Sequence, residues 1–189
     1  MPRRVGRGIP MPYTAKAVAN FFLDLGKSQN SPITPMKLQK LLYYAQGWCL
    51  AIADESLIDE QIEAWKWGPV IRSIYHEFKE FGNSPISRPA NATRVTTEGG
   101  HLRFACSTPT IESNKTDPDN LGFTKALLNK VWEIYGKYTP TQLSNMTHAK
   151  GEPWDVVVSQ YKGSPPKGTD IPQALIKTHF VGMMGKHDE

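Results

Sequence analysis

The chain has 189 residues, of which 39% are hydrophobic and 21% are charged, a length and composition typical of one folded domain with a sizeable core. Its longest apolar stretch without a charge is 41–53, with 13 residues, whereas a membrane span needs about 20. No apolar signal core follows the N-terminal arginines, so we expect a cytoplasmic protein without a membrane partner.

Positive charge is concentrated at the N-terminus. Lysine and arginine number 22 and aspartate and glutamate 18, which gives a net charge of +4. Residues 1–12 contain three arginines and no acid, so the rest of the chain is almost neutral. A nucleic-acid-binding domain normally gathers Lys and Arg on one face. We therefore predict a disordered basic arm over 1–12, and nucleic acid is not the expected partner.

The first two predicted helices carry the clearest signals. Thr14 is a suitable N-cap for the first. Thr34 followed by Pro35 starts a second helix over about 35–53, because proline at the first helical position loses no hydrogen bond. The opposite side of this second helix is also largely apolar, which predicts a central helix buried on more than one side. Its core-facing stripe consists of Leu38, Leu41, Leu42, Ala45, Cys49 and Ile52.

Shorter elements follow along the chain. Gly68-Pro69 is expected to open a third helix. Alternating apolar residues around Gly99-Gly100 predict a β-hairpin. The predicted fold is mainly α: a compact helical domain over 13–183 around the central helix, with a small β-hairpin insertion at 86–110. Further helices are predicted from Pro118 (capped by Asp117) to Tyr135, from Thr139-Pro140, from Pro153 to Tyr161, and from Asp170 and Pro172 through Phe180.

No arrangement of residues in the sequence indicates catalysis or metal binding. Cys49 and Cys106 lie 57 positions apart and lack the paired spacing of a zinc site. His76 and Glu80 share a helix face, but the zinc-protease motif requires a second histidine at the last position. Nucleophile-elbow, phosphate-loop and dinucleotide-binding motifs are missing from the sequence. We therefore expect no enzymatic activity, no cofactor and no metal.

The segment 147–154 places polar and aromatic side chains at one connection between two short helices. It contains Thr147, His148, Pro153 and Trp154. One interpretation is a binding corner. The other, which we favour, is a structural corner in which His148 bonds to the backbone and Trp154 fills the core, because satisfied imidazoles and buried aromatics are common in cores.

Three blocks in order resemble the SocA-like antitoxin, or Panacea, family, to which phage-associated proteins of the GepA type belong. Its signature helix is similar to ITPMKLQKLLYYAQ at 33–46 and its second block to IEAWKWGPV at 62–70. Its C-terminal block is similar to Thr147-His148 followed by Pro153-Trp154, Ile171 and Phe180. The insertion 86–110 and the arm match no pattern of the family. The residues that match family motifs are Lys37, Leu38, Gln39, Lys40, Tyr43, Tyr44, Trp65, Gly68, Pro69, His148, Pro153 and Trp154.

The resemblance implies a mainly helical antitoxin, in a prophage or phage-defence setting, that neutralises a toxin encoded nearby by direct protein contact. Family partners include alarmone-synthetase-like toxins that block translation, and one branch delivers its toxin to a protease as an adaptor. It implies no catalytic residues. Four alternative functions stay open on the sequence: the protease adaptor, a nucleic-acid-binding regulator that uses the arginine arm, a hydrolase, and an interaction role with phage or host. A homo-oligomer also stays open as the assembly state.

The stretch 54–67 is the candidate for the partner-binding face. Residues 54–63 carry five acids and no base, and two tryptophans follow. Acids around an aromatic anchor would suit the basic, phosphate-binding surface of a toxin that acts on RNA. The opposing interpretation places both tryptophans in the core and lets the acids merely solubilise a loop. The predicted interface residues are Asp59, Glu60, Glu63, Trp67, Arg72 and Tyr75.

Overall fold

The computed structural model describes residues 12–98, 101–113 and 118–185. Within these ranges the chain forms seven α-helices and two antiparallel β-hairpins, which confirms the predicted mainly α fold with a small β-hairpin. The helices are α1 Ala15–Ser28, α2 Pro35–Ala53, α3 Arg72–Phe78, α4 Pro118–Tyr135, α5 Pro140–Thr147, α6 Pro153–Gln160 and α7 Gln173–Met184. The strands are β1 Glu63–Trp65, β2 Gly68–Val70, β3 Ala92–Glu98 and β4 His101–Ser107.

Some sequence predictions fall outside the described ranges. The predicted basic arm lies there except for Pro12, as do Gly99-Gly100 and the predicted cap Asp117. No helix in the described ranges combines the length and the apolar character that crossing a bilayer requires.

The second helix, α2, is central, as its sequence predicts. The Thr34 side chain caps it by accepting a hydrogen bond from the Lys37 amide, and Pro35 occupies its first turn. Helices α1, α4, α5 and α7 pack around it, and Cys49 is fully buried. Burial on several sides explains why this helix lacks a polar face.

One residue of the predicted core stripe is not buried. Ile52 is 47% exposed, because it lies in the last turn of α2, where the described elements cover it only in part. Its side chain instead borders a shallow apolar groove with Trp48, Phe123 and Val131. The expectation that Ile52 belongs to the core is therefore wrong.

A β-hairpin stands where the sequence predicts the start of the third helix. Gly68 and Pro69 belong to β2 and pair with Trp65 and Ala64 of β1. Gly68 has a φ of +102°, outside the helical region. The Gln39 side chain then bonds both main-chain groups of Ile71, accepting from its N–H at 2.8 Å and donating to its carbonyl at 3.1 Å. Helix α3 consequently begins only at Arg72.

The predicted insertion hairpin is confirmed as a two-stranded antiparallel ribbon formed by β3 and β4, here called the ribbon. Its two ends are fixed by one buried side chain of α1, that of Asn20. The Asn20 amide group donates to the carbonyls of Ala90 at 3.0 Å and Pro109 at 2.8 Å, and its oxygen accepts from the Ala90 N–H at 2.7 Å. A single core residue therefore fixes both ends of the ribbon.

Candidate functional site

The turn between β1 and β2 consists of Lys66 and Trp67, and three elements hold its main chain. Lys40 of α2 donates from Nζ to the Trp67 carbonyl at 2.6 Å, and Ser144 of α5 donates to the same oxygen at 3.3 Å. Trp154 of α6 donates from Nε1 to the Trp65 carbonyl at 2.8 Å. These hydrogen bonds anchor the turn to the helical body and fix its position.

Glycine is required directly after the turn. At Gly68 the positive φ disfavours any residue with a Cβ. An added Cβ would overlap Lys40 Nζ and would come within 3.0 Å of Thr147 Oγ1 and 3.1 Å of His148 Nε2. The Lys40 amine therefore packs directly against the main chain of β2 at Gly68 and leaves no room for a side chain there.

The turn presents aromatic and cationic groups to solvent. The Trp67 side chain is 61% exposed, and Lys66 Nζ lies 5.0 Å from its ring centroid. Trp65 is half-buried, and its ring centroid lies 4.7 Å from that of the exposed Tyr75. Arg72 is exposed beside them. We call the surface formed by Trp65, Lys66, Trp67, Arg72 and Tyr75 the turn surface.

The acids of the preceding stretch do not form one exposed patch, which differs from the expectation. Asp59 is exposed and Glu60 is half-buried. Glu63 is buried and accepts two hydrogen bonds from Arg72, at 2.7 and 2.9 Å, and one from Trp65 Nε1 at 2.8 Å. Burial alone would raise the pKa of Glu63, but the hydrogen bonds from Arg72 and Trp65 outweigh it and leave that pKa below its usual value. Glu63 thus holds Arg72 in position.

The corner 147–154 is built largely as a structural element. The His148 ring stacks on Trp154 with centroids 3.8 Å apart, and Thr147 Oγ1 donates to the Ser144 carbonyl at 2.9 Å. His148 Nε2 is buried and makes no hydrogen bond among the described residues, so the expected bond to the backbone is not formed there and the ring is held by its stack on Trp154. Trp154 itself is half-buried and packs against the edge of the core. Burial lowers the pKa of His148, and the positive charge of the neighbouring Lys40 lowers it further.

Lys40 is the least expected member of this region. It is only 1% exposed and donates to the carbonyls of Trp67 and Pro69, with no carboxylate among its bonded partners. Burial lowers the pKa of Lys40 to about 7. The sequence offers one signal for this role: a lysine within a helix that is apolar on nearly all sides.

The remaining family-motif residues stabilise the interior. Lys37 donates from Nζ to the Gly136 carbonyl at 2.6 Å, and Tyr44 stacks on Tyr135 with centroids 3.8 Å apart. The other motif residues, Leu38, Tyr43, Pro69 and Pro153, are buried. Most residues that match the family motifs therefore lie in the interior and support the turn or the core, and few of them belong to the exposed face of the turn.

His76 and Glu80, which share a helix face in the sequence, contact other side chains in the structure. Glu80 accepts hydrogen bonds from Arg88, and the exposed His76 ring lies edge-on to Tyr75. In the described part of the chain, no cluster of three or more His, Cys, Asp or Glu side chains is arranged to hold a metal ion.

Comparison with known proteins identifies related sequences. Residues 38–155, more than half of the chain, match the family described as "Antitoxin SocA-like, Panacea domain". Antitoxin SocA of Caulobacter vibrioides is 33% identical over 172 residues, which cover 90% of this chain and 84% of that protein. Among solved structures there is no significant match. The matched range includes the turn, its supports in α2, α5 and α6, and the ribbon.

Proposed function

The chain belongs to the family of SocA-like antitoxins with a Panacea domain, and on that premise we propose that it neutralises a toxin protein by binding it through the turn surface. Its role is then recognition and not catalysis. The buried motif residues serve this role by holding the turn in one conformation.

The exposed Trp67 on an anchored main chain carries this proposal. Exposing most of an indole to water forgoes the free energy that burying a large apolar side chain provides. Tryptophan is enriched among the residues that dominate binding energy. Because Lys40 and Ser144 already hold the Trp67 carbonyl, little conformational entropy of the turn remains to be lost on binding.

The groups around Trp67 define the chemistry of the partner. Tyr75 extends the aromatic area, and Lys66 adds positive charge beside it, while the charge of the exposed Arg72 is balanced by Glu63. Asp59 adds negative charge on the chain leading to β1. A complementary toxin surface therefore contains an apolar pocket for the indole with charges of both signs around it. The toxins that this proposal covers include the alarmone-synthetase-like toxins that block translation, which the sequence resemblance implies as partners.

The test compares the removal of two exposed aromatic side chains. Trp67→Ala removes the indole from the turn surface, and Tyr161→Ala removes a similarly exposed ring beyond the end of α6. The probe is the toxin protein that the proposal expects from a neighbouring reading frame, co-expressed for growth rescue and purified for titration. We expect Trp67→Ala to weaken the toxin Kd about 30-fold or more, as a hot-spot residue does, and Tyr161→Ala to leave it unchanged.

Three readouts separate the alternatives. Unimpaired growth rescue and an unchanged Kd for Trp67→Ala would contradict the assignment of the turn surface. A protease-dependent loss of the toxin in cells would indicate the adaptor role instead of masking. Binding of a DNA duplex that weakens steeply with salt would indicate the nucleic-acid-binding regulator.

A further inference from the structure

The ribbon is firmly anchored yet contributes almost nothing to the core. Every side chain of β4 is exposed, while the Asn20 amide fixes the chain at Ala90 and Pro109, before and after the two strands. Glu77 of α3 bonds Arg88 next to the same end. An isolated two-stranded hairpin is only marginally stable in water. The fold therefore fixes the ends of an element that projects from the body.

One face of the ribbon is apolar. In the antiparallel register Val95 lies opposite Phe104 and Thr97 lies opposite Leu102, so these four side chains share a face. Val95, Leu102 and Phe104 are 52%, 66% and 69% exposed, which leaves three large apolar side chains side by side in water. Adjacent large apolar side chains on one projecting element make this face a candidate contact surface.

The other face of the ribbon is polar, and its positions hold charged residues of both signs. Arg94 lies opposite Ala105 and Thr96 opposite Arg103, and Glu98 lies opposite His101 in the same register, so the positions of two arginines and one glutamate share the face away from Val95. A partner that encloses the ribbon must therefore offer apolar groups on one side and carboxylates on the other.

The size of the ribbon favours a partner that encloses it over face-to-face pairing with the ribbon of a second copy. Two strands of seven residues measure about 24 Å by about 10 Å, so one face covers only about 240 Å². A stable interface buries about 800 Å² on each partner. A cleft that surrounds both faces and both edges, each about 24 Å by about 10 Å, contacts about 1,000 Å², which reaches that size.

We propose that the ribbon inserts into a cleft of the toxin protein that has one apolar wall and one wall carrying carboxylates. This inference rests on the proposed function and adds a second contact to the turn surface. One toxin can reach both, since α3 carries Arg72 and Tyr75 of the turn surface and also Glu77 at the anchored end of the ribbon, and a helix of seven residues is only about 10 Å long.

The experiment removes the ribbon and leaves its anchor in place. Because Ala90 and Pro109 bond the same Asn20 side chain, a Gly-Gly link from Asn91 to Thr108 can replace residues 92–107. We expect an unchanged melting temperature and a toxin Kd weakened about 100-fold, which corresponds to a change of about 2.7 kcal/mol. Trp67→Ala in the otherwise intact chain reports separately on the turn surface.

A second variant keeps the hairpin and changes only its apolar face. Threonine favours strands, so Val95→Thr with Leu102→Thr and Phe104→Thr should preserve the ribbon and still weaken toxin binding at least about 10-fold. The matched control, Val95→Ile with Leu102→Met, keeps the face apolar and should bind as the wild-type chain does.

Each outcome decides a different question. If the ribbonless chain binds the toxin with the wild-type Kd while Trp67→Ala does not, the ribbon inference is overturned and the proposed function stands. If the intact chain binds no toxin, both fall. Sedimentation of the intact chain as a dimer and of the ribbonless chain as a monomer would overturn the inference in favour of self-association. Binding of duplex DNA by the intact chain that is lost when Arg94 and Arg103 are replaced by alanine would also overturn the inference.

Discussion

Lys40 donates a hydrogen bond from Nζ to the carbonyl oxygen of Trp67 at 2.6 Å, so a lysine inside the core holds the residue whose indole extends into solvent. The two ends of this contact have opposite environments: Lys40 is almost completely buried and Trp67 is largely exposed. Changes at the buried end should therefore be transmitted to the turn surface.

Replacing Gly68 by alanine should be far more harmful than the same change at another glycine with positive φ. Gly68→Ala combines backbone strain of about 1–2 kcal/mol with an overlap against Lys40 Nζ that adds about 1–3 kcal/mol. Gly151, with a φ of +86°, has open space around it, so Gly151→Ala should show the strain alone. Urea unfolding measures both, and equal losses of stability would contradict the packing described at the turn.

The buried Lys40 should make stability depend on pH. Its pKa is about 7 in the fold against 10.5 ordinarily, so between these values the unfolded chain binds more protons than the folded chain. The free energy of unfolding therefore rises with pH through this interval. Relative to Lys40→Met, the wild-type chain should gain about 2 kcal/mol between pH 7 and 9.

Other buried groups define the pH range for this measurement. The lowered pKa of His148 acts in the same direction, but only below its ordinary value of 6.5. Burial raises the pKa of Cys49 from 9.0 to about 12, so above pH 9 the unfolded thiol loses its proton first and stability falls. Parallel stability curves for wild type and Lys40→Met from pH 7 to 9 would show that Lys40 keeps its proton in the fold.

Two glycines within helices should respond to alanine in opposite directions. An added Cβ at Gly47 of α2 would overlap the Phe180 ring of α7, whereas Gly122 of α4 has open space around it. Gly122→Ala should stabilise the protein by about 0.5–1 kcal/mol through helix propensity. Gly47→Ala should destabilise it by about 1–3 kcal/mol. Thermal unfolding measures both, and partial recovery in Gly47→Ala with Phe180→Leu would locate the overlap at this helix contact.

Trp154 should be structural before it is functional. Trp154→Ala removes the stack on His148 and the hydrogen bond to the Trp65 carbonyl, and should cost about 3–5 kcal/mol. Trp154→Phe keeps a stacking ring and loses only the donor, at a cost of about 1 kcal/mol. Denaturant unfolding separates these values. Full stability of Trp154→Ala together with lost toxin binding would instead identify the corner 147–154 as a contact site.

Charge reversal at Asp59 and Glu60 should reduce the rate of association more than it destabilises the complex. Asp59→Lys with Glu60→Lys leaves Glu63 and its pairing with Arg72 intact, so the fold should be unaffected. If the toxin surface is basic, association should slow at low salt, and the difference from wild type should shrink as salt rises. Asp24→Lys on α1 with Glu133→Lys on α4, both at exposed positions, makes the same change in net charge and is the control. Association rates that match wild type at every salt concentration would exclude an acidic contribution from this face.

Short-range signals in the sequence determined most of the helical framework. Thr34-Pro35 and Thr139-Pro140 set the starts of α2 and α5 because capping and proline geometry act within one turn. The apolar composition of α2 on nearly all sides predicted its central position, since a helix with no polar face must be covered. The alternation around 99–100 likewise predicted the ribbon, because strand pairing across a short turn is also local.

Only the tertiary structure decided how the candidate site is assembled. Lys40 meets Trp67 across 27 positions, and Asn20 meets Ala90 and Pro109 across 70 and 89. Glu63, which by its sequence neighbours belongs to an acidic run, is neutralised by Arg72 from the next helix. Such contacts leave no periodic trace in the chain, because they depend on where separate elements pack. For the same reason the sequence could indicate two tryptophans near the turn, but only packing determined that Trp67 faces solvent and Trp65 is half-buried.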